Sequence, residues 1–293
     1  MIDWLFFSEI GLAGLGTGGL YALTALGFVL IYKATRVINM AMGEILMLGA
    51  YVFMGFTAST LLPIWLSILL AIACTGLIGG VIERVIIRPM LGESEISVFM
   101  VTIGLGSVLV GLVELIWGAN PQRLIEFIPK EPIFIGEAYL SSKIGYAFVT
   151  AAIVLAVFLA IFRTWRGGVA LRATAGDQAA AYSMGINVPM VFSSVWVISA
   201  MIAAGAGILV GSIGGISPEM GVYGLSVLVV VIVGGLDSLL GALIAGLMVG
   251  LIETYAGAYL GGEYKLLATF SLLVLVLILR PYGLFGTHEI ERL

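Results

Sequence analysis

The chain has 293 residues, 61% of them hydrophobic and only 10% charged, with a formal net charge of −4. A soluble domain carries roughly 25% charged residues to keep its surface wet, so this composition excludes a soluble protein and marks an integral membrane protein. The single cysteine, Cys74, excludes a disulfide within the chain and reads as a small packing residue.

A membrane-crossing helix needs about 20 apolar residues. Eight stretches supply roughly that: 10–32, 40–62, 64–82, 96–117, 144–162, 190–214, 239–260 and 265–280. The expected fold is therefore an all-α, polytopic transmembrane helix bundle in a single transmembrane domain covering 1–293. It has about 8–9 spanning segments, some of them broken or half helices. Many of the 40 glycines lie inside the apolar runs, where small residues let helix backbones approach closely in lipid.

The N-terminal MIDWLFFSEIG lacks the basic start of a cleavable signal peptide, and Trp4, Phe6 and Phe7 read as an interfacial aromatic anchor. In the first span, Gly11, Gly14, Gly18, Ala22 and Ala25 form a small-residue stripe at helical spacing, suited to tight packing. Tyr21 and Thr24 are its polar exceptions. They face a solute pathway or make interhelical hydrogen bonds. At the start of the second span, Asn39, Gly43 and Gly49 loosen or break the helix around Glu44. Freed backbone is tolerated only against protein or water, which makes Glu44 a candidate for a water-filled pathway.

Residues 118–142 form a loop long enough to have a task, with Arg123, Glu126, Lys130, Glu131 and Glu137 among Pro121, Pro129 and Pro132. VGLVELIWGA (110–119) resembles VGLIETYAGA (249–258), and Gly79–Gly80 and Gly234–Gly235 precede the two strings, as in a faint internal repeat. The repeat places Glu114 and Glu253 alike, near the outer ends of their spans. There they snorkel to the interface or line a pathway.

Residues 163–189 are the longest polar stretch on the basic side. At about 100° per residue, Leu171, Ala175, Ala179, Tyr182 and Ile186 share one helical arc. Gly176 and Gly185 interrupt it, so one or two short helices with a turn at Gly185 before Pro189 are expected. Such an amphipathic segment lies on the membrane surface as a connector or inserts a small apolar knob into a partner. The following stretch, 224–235, is about 18 Å long as a helix, and either crosses together with 216–223 or forms half of a broken helix.

Charge fixes the expected orientation. With the N-terminus outside and 224–235 counted as a crossing, Lys33, Arg36, Arg84, Arg88, Arg163, Arg166, Arg172, Arg280 and Arg292 lie inside. Arg123, Lys130, Lys143 and Lys265 lie outside. This positive-inside bias favours N-out and C-in, with nine crossings. No phosphate-binding GxxxxGK[ST] motif occurs, so the chain itself has no such route to ATP hydrolysis. The one histidine, His288, stands apart from any cysteine cluster, and Asp3, Asp177 and Asp237 are the only aspartates, so no enzyme or metal constellation can be built. The absence of charged residues from span centres also argues against an ion-coupled pump.

Several blocks in order resemble the permease subunits of branched-chain amino acid ATP-binding-cassette importers. They are INMAMGEILMLGAY (38–51), LRATAGDQAAAYSMGINV (171–188), GSIGGISPEMG (211–221), VVIVGGLDSLLGALIAGLMVGLIE (230–253) and LILRPYGLFG (277–286). The resemblance covers nearly the whole chain. It is less specific for the solute, since relatives also carry urea, short amides or other amino acids.

The resemblance implies a homologous second permease, two cytoplasmic ATPase subunits that bind ATP and Mg, and an extracytoplasmic binding protein. It implies no cofactor on this chain, no nucleic-acid partner, and a place in the cytoplasmic (inner) membrane of a bacterium or archaeon. It puts the ATPase-coupling contact at Arg172, Asp177, Gln178, Ala179, Ala180, Ala181, Tyr182, Gly185 and Ile186. The solute pathway is expected along Tyr21, Thr24, Asn39, Glu44 and Tyr51, and the binding protein on 118–142 and 214–223. Two positions depart from the pattern: Ala179 stands where the wider loop motif has an acid, and Met42 where relatives often have histidine or glutamine. The competing expectation is an ATP-independent transporter or channel for a small neutral solute such as urea.

Overall fold

The computed structural model describes residues 4–59 and 62–286; Asp3, His288 and Arg292 lie outside the described residues. Eleven α-helices are described: α1 (Trp4–Thr35), α2 (Met42–Ser59), α3 (Ile64–Ile82), α4 (Glu95–Trp117), α5 (Ser142–Thr164), α6 (Arg166–Gly176), α7 (Gln178–Ser183), α8 (Val188–Gly214), α9 (Tyr223–Gly234), α10 (Leu239–Tyr259) and α11 (Tyr264–Leu279). A small antiparallel hairpin, β1 (Ile133–Ile135) and β2 (Ala138–Leu140), folds the 118–142 loop. Each of the eight apolar stretches becomes a helix. Six helices have the length and apolar character of a full crossing, while α2, α9 with its preceding turn, and α11 are shorter.

The centre of the bundle is α1. It is apolar on every side, which suits a helix surrounded by protein rather than one with a wetted face, and from Leu20 to Ile31 its residues are buried all round. Its closest neighbour is α10. A Cβ placed on Gly18 would lie 2.8 Å from both the Gly246 carbonyl oxygen and the Leu247 Cα, and one on Gly246 would lie 2.7 Å from the Ala22 nitrogen. The two backbones are in contact, and the small-residue stripe of the first span is one side of that seam. Lipid gives apolar side chains no reason to leave it, so such close backbone packing is what holds helices together.

Helix ends are capped locally. Ser94, Asn187 and Ser238 accept hydrogen bonds from Ser97, Met190 and Gly241 at the starts of α4, α8 and α10. The end of α3 is less regular: it runs into a π turn (Glu83–Ile87) and a 3-10 turn (Arg88–Met90). The π turn brings residues five apart into line. Arg88 Nε and Nη2 donate to the two Glu83 carboxylate oxygens at 3.0 and 2.9 Å, and Ser193 Oγ of α8 donates to Glu83 Oε2 at 2.8 Å. The carboxylate is 1% exposed and this pair ties α3 to α8.

Two corrections to the sequence reading follow. The second apolar stretch is not one continuous span, because α2 begins inside the bundle. Chain 36–41 turns back after α1 through Arg36, whose φ is +59°, and Met40 N donates to Thr102 Oγ1 within α4. The Met42 side chain packs at Gly27, well inside α1. The residues expected to share one arc through 171–186 do not share a face, because the expected interruption at Gly176 divides them between two short helices, α6 and α7. Asp177 Oδ1 accepts from Ala179 N and Ala180 N, starting α7 afresh and breaking the periodicity at Gly176. Gly185 makes the expected turn, with φ +86°.

Replacing Gly18 by valine forces a branched side chain into the α1–α10 seam. The expected cost is about 1–3 kcal/mol, read as a lower thermal unfolding midpoint in detergent. The same change at Gly104, which faces open space, is expected to leave the midpoint in place.

Candidate functional site

Two chain segments meet in the interior. After α8, the chain folds back through a 3-10 turn (Pro218–Val222) into α9. The turn runs into α9 without a gap, since Val222 is already helical and Tyr223 N donates to the Met220 carbonyl. From Ile216, paired with Gln122, to Gly234, paired with Phe285, residues 216–223 and 224–235 form one continuous apolar segment between the two bundle ends. The first turn of α9 abuts the start of α2: a Cβ on Gly224 would lie 2.9 Å from the Gly43 Cα and nitrogen. The N-terminus of α2, with its partial positive charge, therefore meets the 3-10 turn leading into α9 in the interior.

Glu44 sits at this junction. Its carboxylate lies between Gly106 of α4 and Gly221 of the 3-10 turn, 3.1 and 2.9 Å from where their Cβ atoms would stand. Both glycines leave the space the side chain fills. Glu44 Oε2 and Asn39 Nδ2 are buried without a hydrogen-bond partner among the described residues. Asn39 Oδ1 accepts from Ala41 N and so shapes the approach to α2. Tyr51, two turns beyond Glu44, is fully buried, with its ring 5.6 Å from that of Trp117 and its hydroxyl unpaired. The junction and the α2 face above it thus hold polar groups that helix packing leaves unsatisfied.

A second polar group lies beside it. Tyr21 Oη donates toward Glu253 Oε1 and Oε2 at 2.9 and 2.8 Å, and Thr269 Oγ1 donates to Oε2 at 3.3 Å. The Tyr21 ring lies 4.7 Å from that of Tyr223, the first residue of α9. Glu253 is therefore not a carboxylate snorkelling outward: it turns inward to link α1, α10 and α11. Glu114 is exposed on α4, so the two acids of the suspected repeat have different environments. The glycine pairs differ too, since Gly79 and Gly80 are helical and Gly235 occupies a turn with φ +106°. Thr24 is fully buried, but its hydroxyl donates to the Leu20 carbonyl and stands outside the junction. Tyr223 and Thr269 were not singled out in the sequence. Only their contacts across helices mark them.

The two bundle ends differ. At the end with the α1 C-terminus, Lys33 Nζ donates to the Asp237 carbonyl and the 280–286 tail pairs with Val233 and Gly234. Here α6 packs back on α5: Arg172 donates to the Phe162 and Arg163 carbonyls at 2.7 and 3.4 Å, and its guanidinium covers the Phe162 ring. Arg172 thus caps α5. Of the predicted arc, Leu171 is buried, Ala175 and Ile186 are half-buried, and Ala179 is exposed. Ala181 is the buried residue of α7 instead. Tyr182 and Met184 project outward, 70% and 83% exposed, and Gln178 and Ala180 are exposed with them.

At the opposite end the loop 118–142 is anchored. Gln122 and Ile216 exchange backbone hydrogen bonds of 2.8 Å, so the loop and the segment after α8 lie side by side. Tyr139 N donates to Glu9 Oε1 at 2.8 Å. Lys130 pairs with Glu126 and holds its carboxyl below the usual range.

Residues 10–279 match the family described as the permease component of branched-chain amino acid transport systems. The chain is 34% identical to the high-affinity branched-chain amino acid transport system permease protein LivH of Salmonella typhimurium, over 99% of each chain. It is 32% identical to the corresponding permease protein BraD of Pseudomonas aeruginosa, over 95% of each. Among solved structures, PsaBC from Streptococcus pneumoniae in complex with Fab has a similar fold, with a TM-score of 0.54 at 12% identity over 96% of this chain and 97% of that one.

The Tyr21–Glu253 bond gives a paired prediction. Tyr21→Phe is expected to destabilise the bundle by about 1 kcal/mol, the scale of side-chain hydrogen bonds between helices in lipid. Tyr223→Phe removes a hydroxyl with no partner and is expected to be neutral or slightly stabilising. Thermal unfolding of both variants in detergent checks the contrast, and equal losses would contradict the assignment.

Proposed function

Because the chain belongs to the branched-chain amino acid transport permease family, we propose that it is the membrane-spanning subunit of an ATP-binding-cassette importer for branched-chain or related hydrophobic amino acids. The chain is a multi-pass membrane protein and not an enzyme. In this reading it lies in the cytoplasmic membrane with its N-terminus outside and its basic end in the cytoplasm. It pairs with a homologous permease, and two ATPase subunits bind ATP and Mg at the cytoplasmic end. A binding protein delivers solute to the opposite end, at the joined surfaces of 118–142 and 214–217.

The observation that carries the coupling part of this proposal is α7. It is a single helical turn or so, started by the Asp177 cap and stopped at Gly185, with Tyr182 and Met184 projecting from the basic end. The bond from Ile186 N to the Ala181 carbonyl closes the far side of the turn. A short helix held at both ends moves as a unit, so force applied to an apolar knob on it reaches α6 and α8. Tyr182 is the contact residue in this reading, while Arg172 and Asp177 act by fixing the geometry of α6 and α7. The solute passes along the junction of α2 and α9, by Asn39, Glu44 and Tyr51. Tyr21 shapes that junction through Tyr223.

Tyr182→Asp places a charge on the knob, and Gly185→Arg puts a bulky side chain on a positive-φ residue. Each is expected to abolish co-purification of the ATPase subunits while the chain still inserts in the membrane. Normal co-purification would contradict the coupling role. Amino acid uptake is expected to stop when the ATPase is deleted; uptake that persists, or follows a proton or sodium gradient, would contradict the importer reading in favour of an ATP-independent one.

A further inference from the structure

Trp165 stands between two grooves at the basic end. One is an apolar cavity of 510 Å³ between α5, α6 and α8, walled by Phe158, Ile161, Phe162, Val191 and Ile198, with Arg166 in its lining. The other, of 810 Å³, follows α8 toward the end of α3 and includes Arg84 and Arg88. Trp165, Asn187, Met190, Ser194 and Ile198 line both, so the two grooves form one surface. Its cations are not equivalent. Arg88 is committed to Glu83, whereas Arg84 and Arg166 are exposed and have no ion-pair partner among the described residues.

We propose that this surface binds an anionic phospholipid, with acyl chain in the apolar cavity and headgroup phosphate against Arg84 and Arg166. The chemistry of each part selects that occupant. A polypeptide segment pushed into the cavity would bring backbone N–H and C=O groups to walls with few partners for them, and an acyl chain has none to satisfy. The flanking surface suits lipid, since Leu77, Val81 and Val85 of the α3 arm and Val157 of α5 are 51–68% exposed. Trp165, 52% exposed at the junction of α5 and α6, has the amphipathic character of residues at the headgroup level. Basic pockets between helices at that level favour anionic headgroups, with an advantage of about fivefold per arginine. The guanidinium fork matches a phosphate's oxygens.

The test uses the full-length protein in phosphatidylcholine vesicles containing brominated phosphatidylglycerol or brominated phosphatidylcholine. The Trp165 fluorescence is the difference between wild type and Trp165→Phe. Half-quenching of that component is expected at an at least about fivefold lower mole fraction of phosphatidylglycerol than of phosphatidylcholine. The double variant Arg84→Gln/Arg166→Gln is expected to lose the preference, and Arg280→Gln, which lines neither groove, to keep it. Equal quenching of wild type by both lipids overturns the proposal. So does absence of quenching by either, which would mean that a second copy of the chain covers the surface. The wild-type comparison stands even if a variant fails to fold, and none of these outcomes depends on transport.

Discussion

Backbone N–H and C=O groups released by a break in a helix cannot be left against hydrocarbon, where nothing replaces their lost partners. The chain at 36–41 before α2 is such a break, and much of the surrounding structure, including the 3-10 turn that leads into α9, serves to enclose it. Thr102 supplies an acceptor for Met40 N, and Asn39 an acceptor for Ala41 N. Gly43, Gly221 and Gly224 allow the start of α2 and that turn to touch, so each shields the other. The α1–α10 seam stands behind them as a fixed wall, since its backbones are already in contact. A bundle held by backbone contact has little freedom to shift by small amounts, and a driven motion must move helices as bodies.

Enclosure satisfies the backbone but leaves side chains over. Glu44, Asn39 and Tyr51 keep unpaired polar atoms, while Tyr21, Glu253 and Thr269 satisfy one another a short distance away. That division separates two roles. The Glu253 group is structural, linking three helices around the first residue of α9. The Glu44 group has polar capacity to spare. The polar ends of the molecule divide similarly: the hairpin end is pinned by Gln122 and Ile216, and the basic end presents the one-turn helix α7 on a scaffold capped by Arg172 and Asp177.

Much of this was legible in the sequence because it depends on local pattern. Apolar length located the helices, and the small-residue stripe of the first span located one side of the α1 seam. Gly43 and Gly49 do not loosen α2, which is regular through both, and serve instead for close approach to Gly224 and Ala204. What could not be read depends on position in three dimensions. The depth at which α2 begins is set by what Met42 packs against, and MGEILMLG reads equally well as the end of a full span. Glu114 and Glu253 sit in nearly the same local string, yet Glu253 accepts a hydrogen bond from a tyrosine of another helix while Glu114 is exposed. The Glu83–Arg88 pair has a spacing of five, which an α-helical reading discards and a π turn brings into line. The break at Gly176 was legible, but the arc through Ala179 and Tyr182 does not continue across it, because Asp177 caps a new helix and resets the periodicity.

The central claim is that the α2–α9 junction is the hydrated route through the bundle, with Glu44 on it. It is tested most directly by replacing Glu44 with cysteine in a Cys74→Ser background and exposing the assembled, ATP-supplied transporter to a charged thiol reagent that needs water to react. The account predicts that the cysteine at position 44 is modified, and more slowly when loaded binding protein is present. No modification in any nucleotide state, while a cysteine at the exposed position 182 reacts in the unassembled subunit, would contradict it.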